Sequence, residues 1–558
     1  MVKTPWAPIY LFISGGVISG LGKGITAASI GLLLQSRGYR VTPIKCENYL
    51  NLDSGLINPI EHGDPFLCED GAETDMDIGT YERFLDKNLT IKNFITMGQI
   101  YHSVITRERS FDYAGEDIEA IPHVTDEIIR RLKVAAREDA ADIVIVELGG
   151  TAGEYQNSLY YEASRIMRLK HKDTVLHIHV SYVPTPPHLG EPKTKPTQLS
   201  VKILNSMGIQ PDIIVARSDD MIDRRRRERF ALFCNVEPED IVSSPNVSSI
   251  YEVPLILAEQ KIDERILDKV NLPKSKANLS AWKTLVKKIK SSKEKTITLS
   301  IVGKYFATGD FVLGDSYAAL FEALHHASWA AGVNLDIRRL NSQKVEAQGV
   351  KLLAGSNAVV VPIGWGERGV DGKLIAIEYA RKNKIPYLGL CYGMQLAVVE
   401  FARHVAGLKG AHSTEVDPRT PHPVIHIIPE QKRILKNRAY GGTMRLGAWQ
   451  CLVKKDTHTW RAYERHHQFL NEKTGLTSER HRHRYEFNEA YTKLLTDKGL
   501  IIAGRSVKES LVEIIELPQT MHPFFVGTQG HPEYKSRPLR PHGLFVEFIQ
   551  AAKTHAQG

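Results

Sequence analysis

Three observations predict an α/β protein of two domains. Across the first 270 residues short apolar runs alternate with helical patterns, which implies a parallel sheet covered on both faces. The stretch Ile13-Ser14-Gly15-Gly16-Val17-Ile18-Ser19-Gly20-Leu21-Gly22-Lys23-Gly24 joins an apolar strand to a helix through a glycine-rich turn. After residue 296 a second α/β series carries Leu388-Gly389-Leu390-Cys391-Tyr392-Gly393-Met394-Gln395 and, later, Gly530-His531-Pro532-Glu533. At 558 residues the chain is too long for one core.

Taken in order, residues 10–14 read as a buried strand and 23–36 as a helix with Ile25, Ile30, Leu33 and Leu34 on its apolar stripe. Further strands are predicted at 41–45, 142–147, 175–180 and 212–216. Lysine- and serine-rich stretches at 272–276 and 291–295 flank a short amphipathic helix with Trp282, Leu285 and Ile289. That composition predicts an interdomain linker over 273–296, with domains at 1–272 and 297–558. Strands of the second domain are predicted at 297–302, 358–362 and 385–388.

Composition narrows the function classes. No apolar run reaches the length that spans a bilayer. Residues 1–8 run directly into the first strand and lack a signal-peptide cleavage pattern. Five cysteines at scattered positions form neither a disulfide framework nor a CxxC site, which suits a reducing cytoplasm. The net charge of +8 is modest, and its basic runs, Arg224 to Arg227 and Arg480 to Arg484, suit small polyanions rather than nucleic acid. Neither a nucleic-acid nor a membrane partner is expected.

In the glycine turn, backbone N–H groups can approach phosphate closely, and the helix N-terminus adds partial positive charge. Lys23 supplies a mobile cation. The spacing departs from a strict Walker A motif, because Gly24 follows the lysine where Ser or Thr belongs. Magnesium must then find carboxylates elsewhere. Asp77, at the end of the acidic stretch Glu69-Asp70-Gly71-Ala72-Glu73-Thr74-Asp75-Met76-Asp77, and Glu147, at the carboxyl end of its strand, are the candidates.

The second half reads as a thiol amidase. Gly389-x-Cys391-x-Gly393 resembles a nucleophile elbow with cysteine in the serine position. The following helix N-terminus favours thiolate. His531 acts as base and then acid, Glu533 orients its ring, and backbone N–H groups near Gly364 and Tyr392 form the oxyanion hole.

With these motifs in place the chain resembles the CTP synthase family over nearly its whole length. The matching stretches include Gly20-Leu21-Gly22-Lys23-Gly24, Glu147-Leu148-Gly149-Gly150-Thr151, Lys193-Thr194-Lys195-Pro196-Thr197-Gln198, Gly442-Thr443-Met444-Arg445-Leu446-Gly447 and Arg480 to Glu486. The resemblance implies an N-terminal P-loop-type parallel-sheet amidoligase domain and a C-terminal class I glutamine amidotransferase domain. It implies that ATP phosphorylates the 4-oxygen of UTP, that glutamine hydrolysis at Cys391 releases ammonia, and that channelled ammonia displaces the phosphate to give CTP. ATP contacts then fall on Gly20, Leu21, Gly22, Lys23, Gly24, Ile25, Lys45 and Asp77, and Mg2+ on Asp77 and Glu147. The pyrimidine nucleotide falls on Ser19, Glu154, Tyr155, Gln156, Lys193, Thr194, Lys195, Pro196, Thr197, Gln198 and Arg229. Glutamine falls on Gly364, Tyr392, Gly393, Met394, Gln395, Glu415 and Arg484. A homotetramer, GTP activation and CTP inhibition are further implications.

Several positions depart from the family pattern. Glu154-Tyr155-Gln156 replaces Asp-Ile-Glu, Arg229 replaces a lysine, Glu47-Asn48-Tyr49 replaces Asp-Pro-Tyr, Thr80 replaces a histidine, Ile363 a glycine, and Gly530 a bulky residue. The loop from Phe306 to Ser316 is longer and lies in the GTP-responsive region. These departures leave open a paralogue acting on a modified UTP, or one released from product inhibition. A glutamine-dependent ligase for another acid, and a filament-forming structural role, are the remaining alternatives.

Overall fold

The strand Ile9–Gly16 is buried along its entire length, as a strand covered on both faces should be. It sits at the centre of a seven-stranded, wholly parallel sheet. The order is Phe94–Thr96, Val41–Glu47, Ile143–Leu148, Ile9–Gly16, Val175–Tyr182, Ile213–Ser218, Ile241–Pro245. Phe12, Ile44, Val144 and Val146 face one layer of the core. This computed structural model describes residues 8–59, 63–291, 293, 295–306, 316–437 and 440–557.

Helix Lys23–Ser36 starts where the sequence places it, after Gly22 in the left-handed region at φ 86°, a conformation glycine adopts without steric cost. The strands expected at 142–147 and 212–216 each begin one residue later, as Ile143–Leu148 and Ile213–Ser218, and the edge strands Phe94–Thr96 and Ile241–Pro245 have no strong sequence signal. The strand expected at 385–388 is Tyr387–Leu390; Pro386 has no N–H to give to a ladder.

The second unit holds a nine-stranded mixed sheet. Asn334–Asn341, Thr296–Gly303, Ala358–Val361, Tyr387–Leu390 and Phe525–Thr528 run parallel. Val512–Glu516, Ile501–Ser506, Arg445–Val453 and Leu476–His483 continue it antiparallel.

The compact units are Met1–Leu52 with Asp77–Lys290, and Asp53–Met76 with Ser291–Gly558. They differ from the expected division at 272 and 297 in two places. Helix Ser280–Lys290, assigned to a linker, packs in the first unit: Trp282 is buried, its Nε1 donates to Tyr251 O at 2.8 Å, and its ring lies 5.2 Å from Phe84. Its apolar stripe therefore closes a core. The segment Asp53–Met76 groups with the second unit. The acidic stretch 69–77 supplies the second strand of the hairpin Phe66–Leu67 with Glu73–Thr74, and then opens helix Met76–Leu85. Buried Arg480 donates to Glu69 Oε2 at 3.0 Å and Leu67 O at 2.8 Å, and Arg482 donates to Glu73 Oε1 at 2.6 Å and Gly55 O at 3.1 Å. Burying a guanidinium is tolerable only when paired in this way.

Candidate active sites

In the first unit the glycine turn, the ends of two neighbouring strands and the start of helix Met76–Leu85 converge. Lys23 is buried and donates from Nζ to Gly150 O at 3.0 Å. Burial lowers its pKa, with Glu147 opposing. Lys45 Nζ, on the adjacent strand end, meets Asp77 Oδ2 at 2.5 Å, Glu147 Oε1 at 2.9 Å and Glu47 Oε1 at 3.2 Å. Tyr81 Oη donates to the other oxygen of Glu147. Burial raises the Glu147 pKa, and Lys45 holds it down.

The geometry explains Gly24. A Cβ there would lie 2.2 Å from Asp77 Oδ1. The carboxylate of Asp77 fills the space that a hydroxyl side chain would need. Gly20 and Gly22 are left-handed, and so is Val17 at φ 82°, a strained choice for a β-branched residue. Gly20, Leu21, Gly22, Gly24 and Ile25 thus form the turn and first helical residues beside Lys23, Lys45 and Asp77.

The residues expected at the pyrimidine nucleotide divide into two sets. Ser19, Tyr155, Gln156, Lys195 and Arg229 are exposed. Thr197 is buried: Ser181 Oγ donates to its Oγ1 at 3.0 Å, which donates to Tyr182 O at 3.2 Å. It anchors helix Lys195–Ser206 to the sheet. Gln198 Nε2 donates to the Oγ1 of buried Thr194 at 3.0 Å, Pro196 sits in the first helical turn, and Lys193 pairs with Glu191. Glu154 accepts from Thr151 N and Oγ1, each at 2.7 Å, and from Asn48 Nδ2 at 3.3 Å. Two departures from the family pattern, at 48 and 154, therefore touch. Glu47, a third, joins the Lys45 cluster.

In the second unit Cys391 stands at φ 51°, ψ −101° between strand Tyr387–Leu390 and helix Tyr392–His404. The residues two positions away on either side must be glycine. A Cβ on Gly393 would lie 1.9 Å from Val361 O, and one on Gly389 2.6 Å from Tyr387 Oη. Close packing on both sides holds the strained elbow. His531 is fully buried, and its Nδ1 lies 2.7 Å from Glu533 Oε1. Burial alone would lower its pKa; Glu533 and the Cys391 sulfur outweigh that and push it up to about 10. Among the described residues His531 Nε2 has no hydrogen-bond partner. The ring stacks on Tyr534 at 5.2 Å.

Cys391 opens on a cavity of about 470 Å³ lined by Tyr392, Gln395, Glu415, Arg482, Arg484 and Trp365, with residues 55–59 of the inserted segment. Glu415 Oε1 accepts from Gly366 N at 2.8 Å, and burial raises its pKa. Arg484 donates to Gln431, to Tyr440 O at 2.7 Å and to Thr443 Oγ1 at 3.0 Å, and burial lowers its pKa. Gly393 and Met394, expected at glutamine, are buried within the helix behind the thiol and do not line the cavity.

Sequence reasoning missed two buried lysines beside the turn that carries Ile363 and Gly364. Lys373 Nζ donates to Pro362 O at 2.7 Å, and Lys304 Nζ donates to Trp365 O at 2.9 Å and to Gly366 O. Both Nζ atoms lie over the Tyr392 ring, at 5.2 and 4.7 Å. Burial takes Lys373 far below its ordinary pKa and Lys304 to about 8. They fix the carbonyls of the turn. Gly530 leaves room that a Cβ would take 2.8 Å from Glu479 Cβ. Thr80 Oγ1 accepts from Arg83 Nη2 at 3.1 Å. Of the long 306–316 loop, residues 307–315 lie outside the described residues, and the expectation about GTP falls there.

No helix among the described residues is long and apolar enough to cross a membrane. Residues 9–272 match the family model described as CTP synthase N-terminus, and residues 312–551 that described as glutamine amidotransferase class-I. A CTP synthase of Caldanaerobacter subterraneus subsp. tengcongensis is 51% identical over 97% of this chain and 98% of that protein. Those of Carboxydothermus hydrogenoformans (48%; 97% and 98%) and Thermococcus kodakarensis (46%; 98% and 99%) are similar over the same extent.

Proposed function

The chain belongs to the CTP synthase family, and from that premise we propose how its two sites divide the amination of UTP to CTP. The reaction uses ATP and glutamine and makes the chain a glutamine-hydrolysing ligase. Cys391 attacks the side-chain amide of glutamine, forming a thioester as His531 passes a proton to the departing ammonia. Water then releases glutamate, with His531 as base and Glu533 holding its ring. Glu415 and Arg484, an anion and a cation on one cavity, match the ammonium and carboxylate of an amino acid. The backbone turn at Ile363 and Gly364, held by Lys373, stabilises the oxyanion.

In the other unit the glycine turn, Lys23 and Lys45 receive the phosphates of ATP. The donor set fits a divalent ion, because Asp77, Glu147 and Glu47 already gather three carboxylates about one cation. Asp77 and Glu147 would hold Mg2+, which supplies charge neutralisation for the phosphates. Lys193, Lys195, Gln198, Arg229, Ser19 and Tyr155 to Gln156 recognise the pyrimidine nucleotide. The contact of Asn48 with Glu154 supports an altered nucleotide pocket, with UTP the substrate and feedback by CTP weakened. Exposed Leu199, Ile203, Leu232 and Phe233, on two packed helices beside this run, support a homotetramer; its location is cytoplasmic.

The carrying observation is a strained Cys391 elbow on the same chain as a lysine–carboxylate cluster at a phosphate turn. The test is mass spectrometry of the product made from UTP, ATP, Mg2+ and amide-15N glutamine. CTP carrying one 15N is expected; glutamate without labelled nucleotide would overturn the reading. Sedimentation with and without UTP checks the tetramer.

A further inference from the structure

Among the described residues the Cys391 sulfur has two hydrogen-bonding neighbours. Arg482 O lies 3.8 Å away and can only accept, so it serves the protonated thiol. Gln529 Nε2 lies 3.4 Å away. Gln529 is buried at the end of strand Phe525–Thr528, where its own N–H donates to Glu513 O at 2.7 Å.

Which end of the Gln529 amide faces the sulfur is fixed by a chain of contacts. Tyr485 O is a carbonyl and can only accept. It lies 2.8 Å from the Gln395 amide, so that atom is Nε2. The same nitrogen lies 3.1 Å from the Gln529 amide, so the atom facing it is Oε1. The remaining Gln529 atom, the one turned to Cys391, is the NH2 group. Gln395 Oε1 is buried without a partner among the described residues, which leaves it as an acceptor at the cavity.

We propose that Gln529 is a further catalytic residue of the glutaminase site, whose side-chain amide donates to the Cys391 thiolate and is held in that orientation by Gln395 and the Tyr485 carbonyl. A donor to sulfur favours the anion over the thiol, so it raises the fraction ready to attack. The device adds no charge to the cavity, unlike a lysine in its place. Its orientation is set by a backbone carbonyl next to Arg484, one of the residues assigned to glutamine.

This inference rests on Cys391 being the nucleophile. The test alkylates the full chain with iodoacetamide across pH and follows the Cys391 peptide by mass. Gln529→Glu keeps the shape and replaces the donor with an acceptor. Its midpoint is expected to move up by about one pH unit or more, so that alkylation below the midpoint slows about tenfold. Gln529→Met, neutral and of similar volume, is expected to move it in the same direction by less, and decides alone if the glutamate variant does not fold. Coincident midpoints in cooperatively melting variants would overturn the inference and leave the nucleophile assignment standing. Alkylation of Cys391 that leaves glutamine-dependent synthesis intact would instead overturn that assignment.

Discussion

At Cys391 the chain uses strain and close packing: a left-handed cysteine, two glycines pressed against backbone, and a buried imidazole already paired with its carboxylate. At Asp77 it uses charge: one lysine faces three carboxylates, beside a glycine turn on which a second lysine is folded back. The thiol site is complete before substrate arrives, since its groups need only geometry. The lysine–carboxylate cluster balances its own charges, and in the proposed function it awaits a polyanion and a cation. Acyl transfer needs preorganised dipoles about a developing oxyanion; phosphoryl transfer needs mobile charge brought in with the nucleotide.

The sharpest way to break this contrast is to remove the thiol. Cys391→Ala should reduce glutamine-dependent CTP formation by roughly 10⁴-fold or more, while ammonium chloride still supports synthesis. Loss of both activities would mean that the second site does not stand alone. Next, Glu147→Gln should reduce synthesis from either nitrogen source by about 10²-fold or more and spare glutamate release by the other unit. Gly24→Ala tests the packing of Asp77: the new Cβ displaces the carboxylate and should cost about 1–3 kcal/mol, read as a lower Tm together with a higher KM for ATP.

A subtler effect concerns pH. His531 is raised from an ordinary value near 6.5 to about 10. Folding therefore gains from this group fully below about pH 6.5, and the gain is lost as pH rises through about 10. In Glu533→Gln the upper limit should move down, so that Tm of variant and parent converge at the alkaline end. A constant difference up to pH 10.5 would contradict the pairing. The smallest effect is expected for Lys373→Met, a several-fold fall in kcat for glutamine with KM little changed, because it loosens the turn without touching substrate.

Much of this was legible in the sequence. The phosphate turn and the helix after it, the Gly-x-Cys-x-Gly elbow and the His-Pro-Glu run are local patterns, in which each residue answers to neighbours a few positions away. The sequence singled out Gly24 as anomalous, yet only the fold shows Asp77 in its place. Gly393 and Met394 lie on the helix that follows Cys391, buried and outside the residues that line the cavity. Gln529, Lys304 and Lys373 carry no motif signal, because an amide or a lysine takes its role from what surrounds it.

By itself the sequence determined the parallel sheet and the ligase and glutamine amidotransferase halves, and it supplied the triad proposed for the second, since periodicity and turn chemistry act over a few residues. The tertiary structure alone decided that Asp53–Met76 groups with the thiol unit, through pairs such as Arg482 with Glu73 that lie 409 residues apart. It alone decided which amide faces the sulfur. Contacts of such separation follow from the closing of whole sheets and cores, and no local spacing encodes them.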